Sequence, residues 1–232
     1  MPDIILPGPA GRIEARFQRQ KTANAPMALI LHPHPQYGGT MNNPLVYELY
    51  HRFHKLGCTV VRFNFRGVGR SQGSFDNGAG ELSDAAAVLD WMSTLYPNPS
   101  FCWVVGISFG AWIGMQLLMR RPEITGFISI APQANLYDFA FLAPCPASGL
   151  FVHGTKDQVV PEADVQKLVD RLSAQRGIKI TYVKVDGANH FFDNHMPEVV
   201  DVVRDGFLDS AVAPVPLARR FVRCGCIAVA GP

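Results

Sequence analysis

Short apolar runs alternate along this chain with longer segments in which apolar residues recur at helical spacing. The pattern predicts strands at 27–31, 59–65, 103–107, 124–130, 149–153 and 180–185. It predicts a helix that starts at Pro44, with Asn43 as its N-cap and Gly57 as its C-terminal stop. Further helices are predicted over 82–92, from about 109 onwards, from 161 and from 197 to about 209. Strands that alternate with helices favour parallel βαβ units, and hence a mostly parallel, doubly wound α/β sheet of about eight strands.

The N-terminal segment follows a different pattern. Residues 3–6 and 12–19 predict an antiparallel hairpin, in which Ile13, Ala15 and Phe17 alternate and Pro7-Gly8-Pro9 forms the turn.

Further along, only residues 132–147 separate the predicted strands at 124–130 and 149–153, and this connection is too short for a large helical lid. We therefore expect little or no lid and an open, shallow pocket.

Composition agrees with one α/β domain over residues 1–210. The chain has 232 residues, of which 48% are hydrophobic, and a net charge of +2 gives no indication of nucleic-acid binding. Residues 211–232 depart from the pattern and form a C-terminal extension. Its Arg219-Arg220 pair and Cys224-Gly225-Cys226 fit either a small anion- or metal-binding arm or a surface extension, and two cysteines do not complete a tetrahedral metal site.

Residues 101–119 contain no charged side chain, and Gly106, Gly110 and Gly114 recur at the four-residue spacing seen in packed membrane helices. A buried parallel strand followed by a buried helix explains the same segment, and the surrounding strand–helix alternation favours it. We expect no membrane insertion.

The five cysteines show no disulfide framework and the N-terminus resembles no signal peptide, which predicts a cytoplasmic protein.

The candidate nucleophile is Ser108, in Gly106-Ile107-Ser108-Phe109-Gly110. This G-x-S-x-G pattern directly follows an apolar run and precedes a helical one, the context of a sharp strand-to-helix turn that exposes the serine hydroxyl. A serine hydroxyl is a weak nucleophile, so this interpretation requires a base and an acid that orients the base.

Both are present downstream, in loops that follow predicted strands. Asp157 comes after the strand that ends at His153-Gly154, and His190 comes after the strand at 180–185. The order Ser, Asp, His is that of the α/β-hydrolases. His195 is an alternative base, although it lies just before the last helix.

A tetrahedral intermediate also needs two hydrogen-bond donors for its oxyanion. One expected donor is the N–H of Phe109, and the other comes from the loop after the 27–31 strand. Because Pro33 and Pro35 have no N–H, the N–H of His34 is the expected second donor. Gln36 and Tyr37 in the same loop are candidate pocket residues.

This loop, His-Pro-His-Pro-Gln-Tyr-Gly-Gly-Thr-Met-Asn-Asn over residues 32–43, resembles that of small, lidless bacterial serine hydrolases of the α/β-hydrolase superfamily. The group is similar to dienelactone hydrolases, which use cysteine as the nucleophile where this chain has Ser108. The resemblance covers about residues 3–210. It implies a Ser108–His190–Asp157 triad that hydrolyses carboxylic esters, without a cofactor.

Two further features leave alternatives open. Arg66, in Arg-Gly-Val-Gly-Arg-Ser, either binds a substrate carboxylate or braces the turn against Glu81 or Asp84. The histidine pairs at 32 and 34 and at 51 and 54 lack a carboxylate at matching spacing, so we expect no metal site.

The sequence therefore predicts a serine hydrolase for esters of small or medium acyl compounds. Thioester or amide hydrolysis by the same triad is an alternative, and so is a non-catalytic ligand-binding protein on a hydrolase fold. The expected partner is a small-molecule acyl substrate. The oligomeric state is left open, and a homo-oligomer is one of the options.

Overall fold

The computed structural model describes residues 3–212, which form an eight-stranded sheet and five α-helices. The strands are β1 (Asp3–Gly8), β2 (Gly11–Gln18), β3 (Met27–Leu31), β4 (Thr59–Phe63), β5 (Cys102–Ile107), β6 (Gly126–Ile130), β7 (Gly149–Gly154) and β8 (Ile180–Val185). The helices are α1 (Pro44–Lys55), α2 (Ala79–Leu95), α3 (Phe109–Arg120), α4 (Glu162–Ser173) and α5 (Met196–Val212). The predicted C-terminal extension lies almost wholly outside the described residues.

The strands are arranged in the order β1-β2-β4-β3-β5-β6-β7-β8. β1 and β2 are antiparallel, as are β2 and β4, whereas every other neighbouring pair is parallel. The predicted fold class is therefore confirmed. The parallel arrangement brings the C-terminal ends of β3, β5, β7 and β8 to the same edge, where ligands bind in open α/β sheets.

Helices cover both faces of the sheet because the buried strands are apolar on both faces. In β3, Met27, Leu29 and Leu31 pack into one hydrophobic core with residues of α2, α3 and α4. Ala28 and Ile30 point the other way, into a second core with residues of α1 and α5. This two-residue alternation fixes which side chains of a strand face each helical layer.

The predicted start and end of α1 are confirmed. The Asn43 side chain accepts hydrogen bonds from the backbone N–H groups of Leu45 and Val46. Gly57, which has a positive φ of 89°, follows the last turn. Asn43 therefore satisfies two of the unpaired N–H groups at the helix start, and Gly57 supplies the left-handed residue that ends it.

Several predicted boundaries are wrong. β4 ends at Phe63 rather than Phe65, and β6 begins at Gly126 rather than Ile124. The hairpin turn and the last helix differ as well. β1 continues through Pro7 and Gly8, and Gly8 pairs with Gly11, so the turn consists of Pro9 and Ala10 rather than Pro7-Gly8-Pro9. A proline is tolerated here because β1 is an edge strand that need not donate at every position. At the other end, α5 begins at Met196 and extends to Val212, beyond the expected end near residue 209.

The connection between β6 and β7 contains only a short 3-10 helix, Ala140–Leu142, in agreement with the expected lack of a lid. The uncharged 101–119 segment forms β5 and α3, as the buried strand–helix interpretation predicted. Across residues 3–212, no helix is both long and apolar enough to cross a bilayer.

Candidate active site

Ser108 lies at the sharp turn between β5 and α3. Its φ of 56° and ψ of −115° are strained for a non-glycine residue, and its N–H donates to Ile130 O at 2.8 Å. The turn is possible because its neighbours are small: a Cβ at Gly106 would come within 2.3 Å of Gly110 O, and one at Gly110 within 2.5 Å of Leu31 O. The G-x-S-x-G spacing is thus a steric requirement of this turn.

The structure brings the three predicted catalytic side chains together. Ser108 Oγ lies 3.0 Å from His190 Nε2, and His190 Nδ1 lies 2.7 Å from Asp157 Oδ2. Because the carboxylate accepts, Nδ1 carries the proton and Nε2 is free to accept from the serine hydroxyl. The three residues thus form one continuous hydrogen-bonded series.

The side chain of Asp157 is fully buried, and its carboxylate accepts several hydrogen bonds. Its second oxygen, Oδ1, accepts from the N–H groups of Val159 and Val160, both at 2.8 Å. Burial alone would raise the pKa of Asp157, but the hydrogen bonds from His190 and Val160 outweigh burial and hold the pKa below its ordinary value. The carboxylate therefore stays ionised beside His190.

A second histidine packs behind this carboxylate. His153, the penultimate residue of β7, is fully buried; its Nε2 lies 3.0 Å from Val160 O and 3.7 Å from Asp157 Oδ2. Burial lowers the pKa of His153, so the ring is neutral and Nε2–H donates to Val160 O. This hydrogen bond fixes the end of β7 against the loop that carries Asp157.

The loop after β3 is held in place by His32. Phe65 N–H donates to His32 Nε2 at 3.0 Å, and His32 Nδ1 donates to Pro33 O at 2.6 Å. Burial lowers the pKa of His32 to about 4, which keeps this ring neutral. His32 therefore joins the end of β4 to the Pro33–His34 peptide.

The rest of this loop turns tightly around His34. Gln36 N–H donates to His34 Nδ1, and His34 O accepts from Tyr37 N–H and Gly39 N–H. Within residues 3–212, no identified hydrogen bond uses the N–H of His34 or of Phe109. The two N–H groups predicted to bind the oxyanion thus donate no hydrogen bond within the described residues, whereas those of Gln36 and Tyr37 both donate to His34.

Arg66 braces its turn rather than facing the active site. Its Nε and Nη2 donate to the two oxygens of Asp84 at 3.0 and 2.8 Å, and its N–H donates to the same carboxylate. Glu81, the other acidic candidate, accepts instead from the N–H groups of Asp76 and Gly78 at the start of α2. The structure thus favours the bracing role and selects Asp84 as the partner.

A cavity of about 390 Å³ opens beside Ser108 and His190. Its walls are mostly apolar and come from the loops after β3, β6, β7 and β8, together with the end of β5 and the start of α1. The lining residues are Pro33, His34, Tyr37, Asn43, Leu45, Ile107, Gln133, Leu136, Val159, Phe191 and Phe192. Of the two predicted pocket residues, Tyr37 lines this cavity and Gln36 does not.

Sequence reasoning missed Gln133, Leu136, Val159 and Phe191 as lining residues. Each follows the C-terminal end of a parallel strand, at the edge of the sheet where ligands are expected. That rule was available from the sequence, but it does not say which residues of a loop face inward.

The remaining histidines lie away from this arrangement. His54 Nδ1 is hydrogen-bonded to Gln20, and the His51 ring packs on Tyr47 and Tyr50. His195, the alternative base, lies before α5, and the Ser108 hydroxyl donates its hydrogen bond to His190 instead. Among residues 3–212, no three histidine, cysteine or acidic residues cluster in a way that could hold a metal ion.

The eight-stranded sheet, the strained serine turn and the Ser–His–Asp contacts define an α/β-hydrolase architecture. Comparison of the sequence with known families agrees: residues 34–149 match the family described as the alpha/beta hydrolase fold. An uncharacterised protein of Rickettsia prowazekii is 51% identical over 209 residues, which are 88% of this chain and 88% of that protein. The chain belongs to the α/β-hydrolase fold family.

Similar solved structures come from three other bacteria. A protein of unknown function from Agrobacterium tumefaciens is 60% identical, with a TM-score of 0.87, over 90% of this chain and 95% of that one. An α/β serine hydrolase homologue from Coxiella burnetii is 36% identical (TM-score 0.81; 88% and 96% covered). A lidless α/β serine hydrolase from Xanthomonas campestris is 31% identical (TM-score 0.80; 92% and 96% covered).

Proposed function

We propose that this protein is a serine hydrolase that cleaves carboxylic esters through an acyl-enzyme intermediate. The observation that carries the proposal is the hydrogen-bonded series from Ser108 through His190 to Asp157, at the wall of an open, largely apolar cavity. The similar chains from Coxiella burnetii and Xanthomonas campestris, both described as serine hydrolases, support it.

The proposed reaction begins when His190 Nε2 takes the Ser108 proton as Oγ attacks the ester carbonyl. Asp157 holds His190 in the tautomer with the proton on Nδ1 and offsets the positive charge that the ring acquires. His190 then returns a proton to the leaving alcohol as the C–O bond breaks. A water molecule then gives a proton to His190 Nε2 as its oxygen attacks the acyl carbonyl. The bond to Ser108 Oγ breaks, His190 returns the proton to Oγ, and the acid is released.

The oxyanion of each tetrahedral intermediate would bind the N–H groups of Phe109 and His34. The Phe109 N–H is at the first turn of α3, where it has no intrahelical partner and where the helix dipole favours negative charge. His34 lies between two prolines, which restrict the backbone on either side of its N–H. Both donors would thus be oriented before the charge develops.

Replacement of the nucleophile tests the proposal. We expect Ser108→Ala to lower kcat for p-nitrophenyl esters by about 10⁴-fold or more, because members of such a triad act as a unit. Circular dichroism and thermal melting should show a native-like variant, since the change removes only the hydroxyl and keeps the Cβ. Turnover at the wild-type rate by folded Ser108→Ala would exclude the serine mechanism and favour a non-catalytic binding protein with a contaminating activity.

A matched pair of variants at His34 tests the second donor. The φ of His34, −56°, is compatible with proline, so His34→Pro removes the N–H without demanding a new backbone conformation. We expect His34→Pro to lower kcat about 10²-fold relative to His34→Ala, which loses the same ring but keeps the N–H. Equal kcat values for the two folded variants would assign the donor elsewhere.

A further inference from the structure

Four large apolar side chains around the cavity are exposed to solvent. Tyr37 is 84% exposed, Phe191 64%, Leu136 63% and Val159 40%, and all four also line the cavity beside Ser108. They make up half of the large hydrophobic side chains that are exposed in the described part of the chain; the others are Ile5, Tyr47, Leu95 and Leu208. Single exposed apolar residues are ordinary in proteins, but a group of four at one site calls for an explanation.

These four residues, which we call the apolar rim, come from four separate loops. Tyr37 follows β3, Leu136 follows β6, Val159 follows β7 and Phe191 follows β8. Since each side chain contacts both the cavity and solvent, the rim extends the apolar wall of the cavity outward. A chance cluster from one flexible loop would not have this arrangement.

The rim is also tied to the catalytic residues. The Tyr37 ring packs against the His34 ring with centroids 4.7 Å apart, and the Phe191 ring against that of His190 at 5.4 Å. Val159 N–H donates to Asp157. The positions of three rim residues are therefore set by the same contacts that set the triad and the loop after β3.

The cavity lining contains no aspartate, glutamate, lysine or arginine. Its polar members, apart from Ser108 and His190, are His34, Asn43 and Gln133. The side-chain oxygen of Asn43, Oδ1, already accepts hydrogen bonds at the start of α1. A carboxylate or phosphate on the bound part of a substrate would lose its hydration without gaining a charged partner. An apolar chain, in contrast, would gain from contact with both the walls and the rim.

We propose that the apolar rim is an extension of the acyl-binding site, and that the substrates are uncharged esters whose apolar acyl chain reaches out of the cavity onto Leu136 and Phe191. This inference rests on the proposed ester hydrolysis and specifies its substrate class. The cavity, at about 390 Å³, holds the reacting end of the substrate, and the rim removes the remaining methylene groups from water.

A chain-length series measures this contribution. We would determine kcat/KM for p-nitrophenyl esters from acetate to decanoate, below the concentration at which each ester self-associates. Each methylene group that becomes buried should raise kcat/KM by about fourfold. Octanoate has six methylene groups more than acetate, so burial of between three and four of them should make octanoate better by about 10²-fold, and burial of more of them should raise the ratio further. The ratio of octanoate to acetate then reports on the rim with each protein as its own reference.

Rim variants test which residues produce that ratio. Leu136→Ser and Phe191→Ser should each lower the octanoate-to-acetate ratio about tenfold, because each replaces an apolar contact with a hydroxyl. Leu208→Ser is the matched control: this leucine on α5 is 41% exposed and lies outside the cavity, so its ratio should stay at the wild-type value. The p-nitrophenyl monoester of an eight-carbon dicarboxylic acid should react more slowly than octanoate.

The outcomes separate this inference from the proposed function. A ratio near one in the wild type, an unchanged ratio in both rim variants, or a preference for the carboxylated ester would overturn the acyl-chain assignment while ester hydrolysis itself stands. No hydrolysis of any ester by the wild type would instead reject the proposed function, and this inference with it.

Discussion

Two buried carboxylates in this protein, Asp84 and Asp157, have partners of different charge, which distinguishes a structural ion pair from the proposed catalytic one. Their side chains are 1% and 0% exposed, and each accepts at least three hydrogen bonds. Burial of a carboxylate is unfavourable unless donors and an opposite charge compensate for it. Both carboxylates have the donors, but the charges of their partners differ.

Asp84 faces the guanidinium of Arg66, which is permanently charged and bonds both of its oxygens. Asp157 faces His190, whose ring is neutral when its Nε2 accepts from Ser108. Asp157 is thus held ionised by two backbone N–H groups and a neutral ring. In the proposed mechanism, a full opposite charge develops beside Asp157 only when His190 takes up the serine proton.

This difference accounts for the separate roles that we assign to the two carboxylates. An ion pair that is complete at rest can hold a turn but has no proton to move. A buried carboxylate whose partner becomes charged during the reaction favours that charged state, because the attraction strengthens as the proton arrives. The comparison predicts that changes at Asp157 affect rate, whereas changes at Asp84 affect stability.

The largest expected effect is that of Asp157→Asn on rate. The amide can donate to His190 Nδ1, which would place the ring proton on Nε2 and prevent acceptance from Ser108. We expect kcat to fall about 10⁴-fold while the free energy of unfolding changes little, because the amide removes a buried charge and keeps the shape of the side chain. Ester kinetics and urea unfolding of the same preparation measure the two quantities.

The different roles assigned to Asp157 and Asp84 would be contradicted if Asp157→Asn unfolded most of the protein while the folded fraction kept the wild-type kcat. Asp157 would then belong with Asp84 as a structural residue.

Asp84→Asn should produce the opposite result. Loss of the carboxylate leaves the mostly buried Arg66 dependent on the more exposed Asp76, whose Oδ2 lies 3.8 Å from Nη1, so we expect a destabilisation of about 3 kcal/mol with kcat within about tenfold of wild type. Asp90→Asn is a matched control, because Asp90 pairs with Arg121 at the surface and should change stability by about 1 kcal/mol or less. Urea unfolding measures both variants, and equal stability of the two would show that burial does not distinguish these pairs.

A smaller effect concerns His32, a buried histidine that is bonded only to backbone groups. The pKa of this ring is about 4 in the folded protein against 6.5 for an ordinary histidine. Between these two pH values, His32 binds more protons in the unfolded chain than in the folded protein. The stability that depends on a neutral His32 ring is therefore fully present above pH 6.5 and is lost as the pH falls toward 4.

The corresponding measurement is unfolding free energy against pH for wild type and His32→Gln, in which the amide oxygen can accept from Phe65 N–H. The wild type should lose about 1.4 kcal/mol per pH unit more than the variant across that window. Parallel curves would mean that His32 does not resist protonation.

Local sequence determined the parts of the site that were predicted. The crowding around Ser108 requires glycine on both sides, and the order Ser108, Asp157, His190 follows from loops at one edge of a parallel sheet. Parts that depend on tertiary packing were not predictable. In the sequence, Glu81 and Asp84 are equivalent candidates to pair with Arg66. Only the structure shows that Glu81 accepts hydrogen bonds from backbone N–H groups at the start of α2.

The apolar rim and the turn of the hairpin were missed for related reasons. Leu136 and Phe191 look like ordinary loop residues because sequence does not show which loops meet around the cavity. The turn was misplaced because Pro7 disfavours a strand interior, whereas an edge strand accommodates it.

The central claim, that Ser108 is a nucleophile activated by His190 and Asp157, is tested most directly by reaction with a fluorophosphonate followed by mass spectrometry of the digested protein. We predict one equivalent of phosphonate on the wild type, located on Ser108. Ser108→Ala should take up none, Asp157→Asn should react far more slowly, and Asp84→Asn should react at nearly the wild-type rate while folded. A folded wild-type protein that takes up no phosphonate, or takes it up on another residue, would contradict the account.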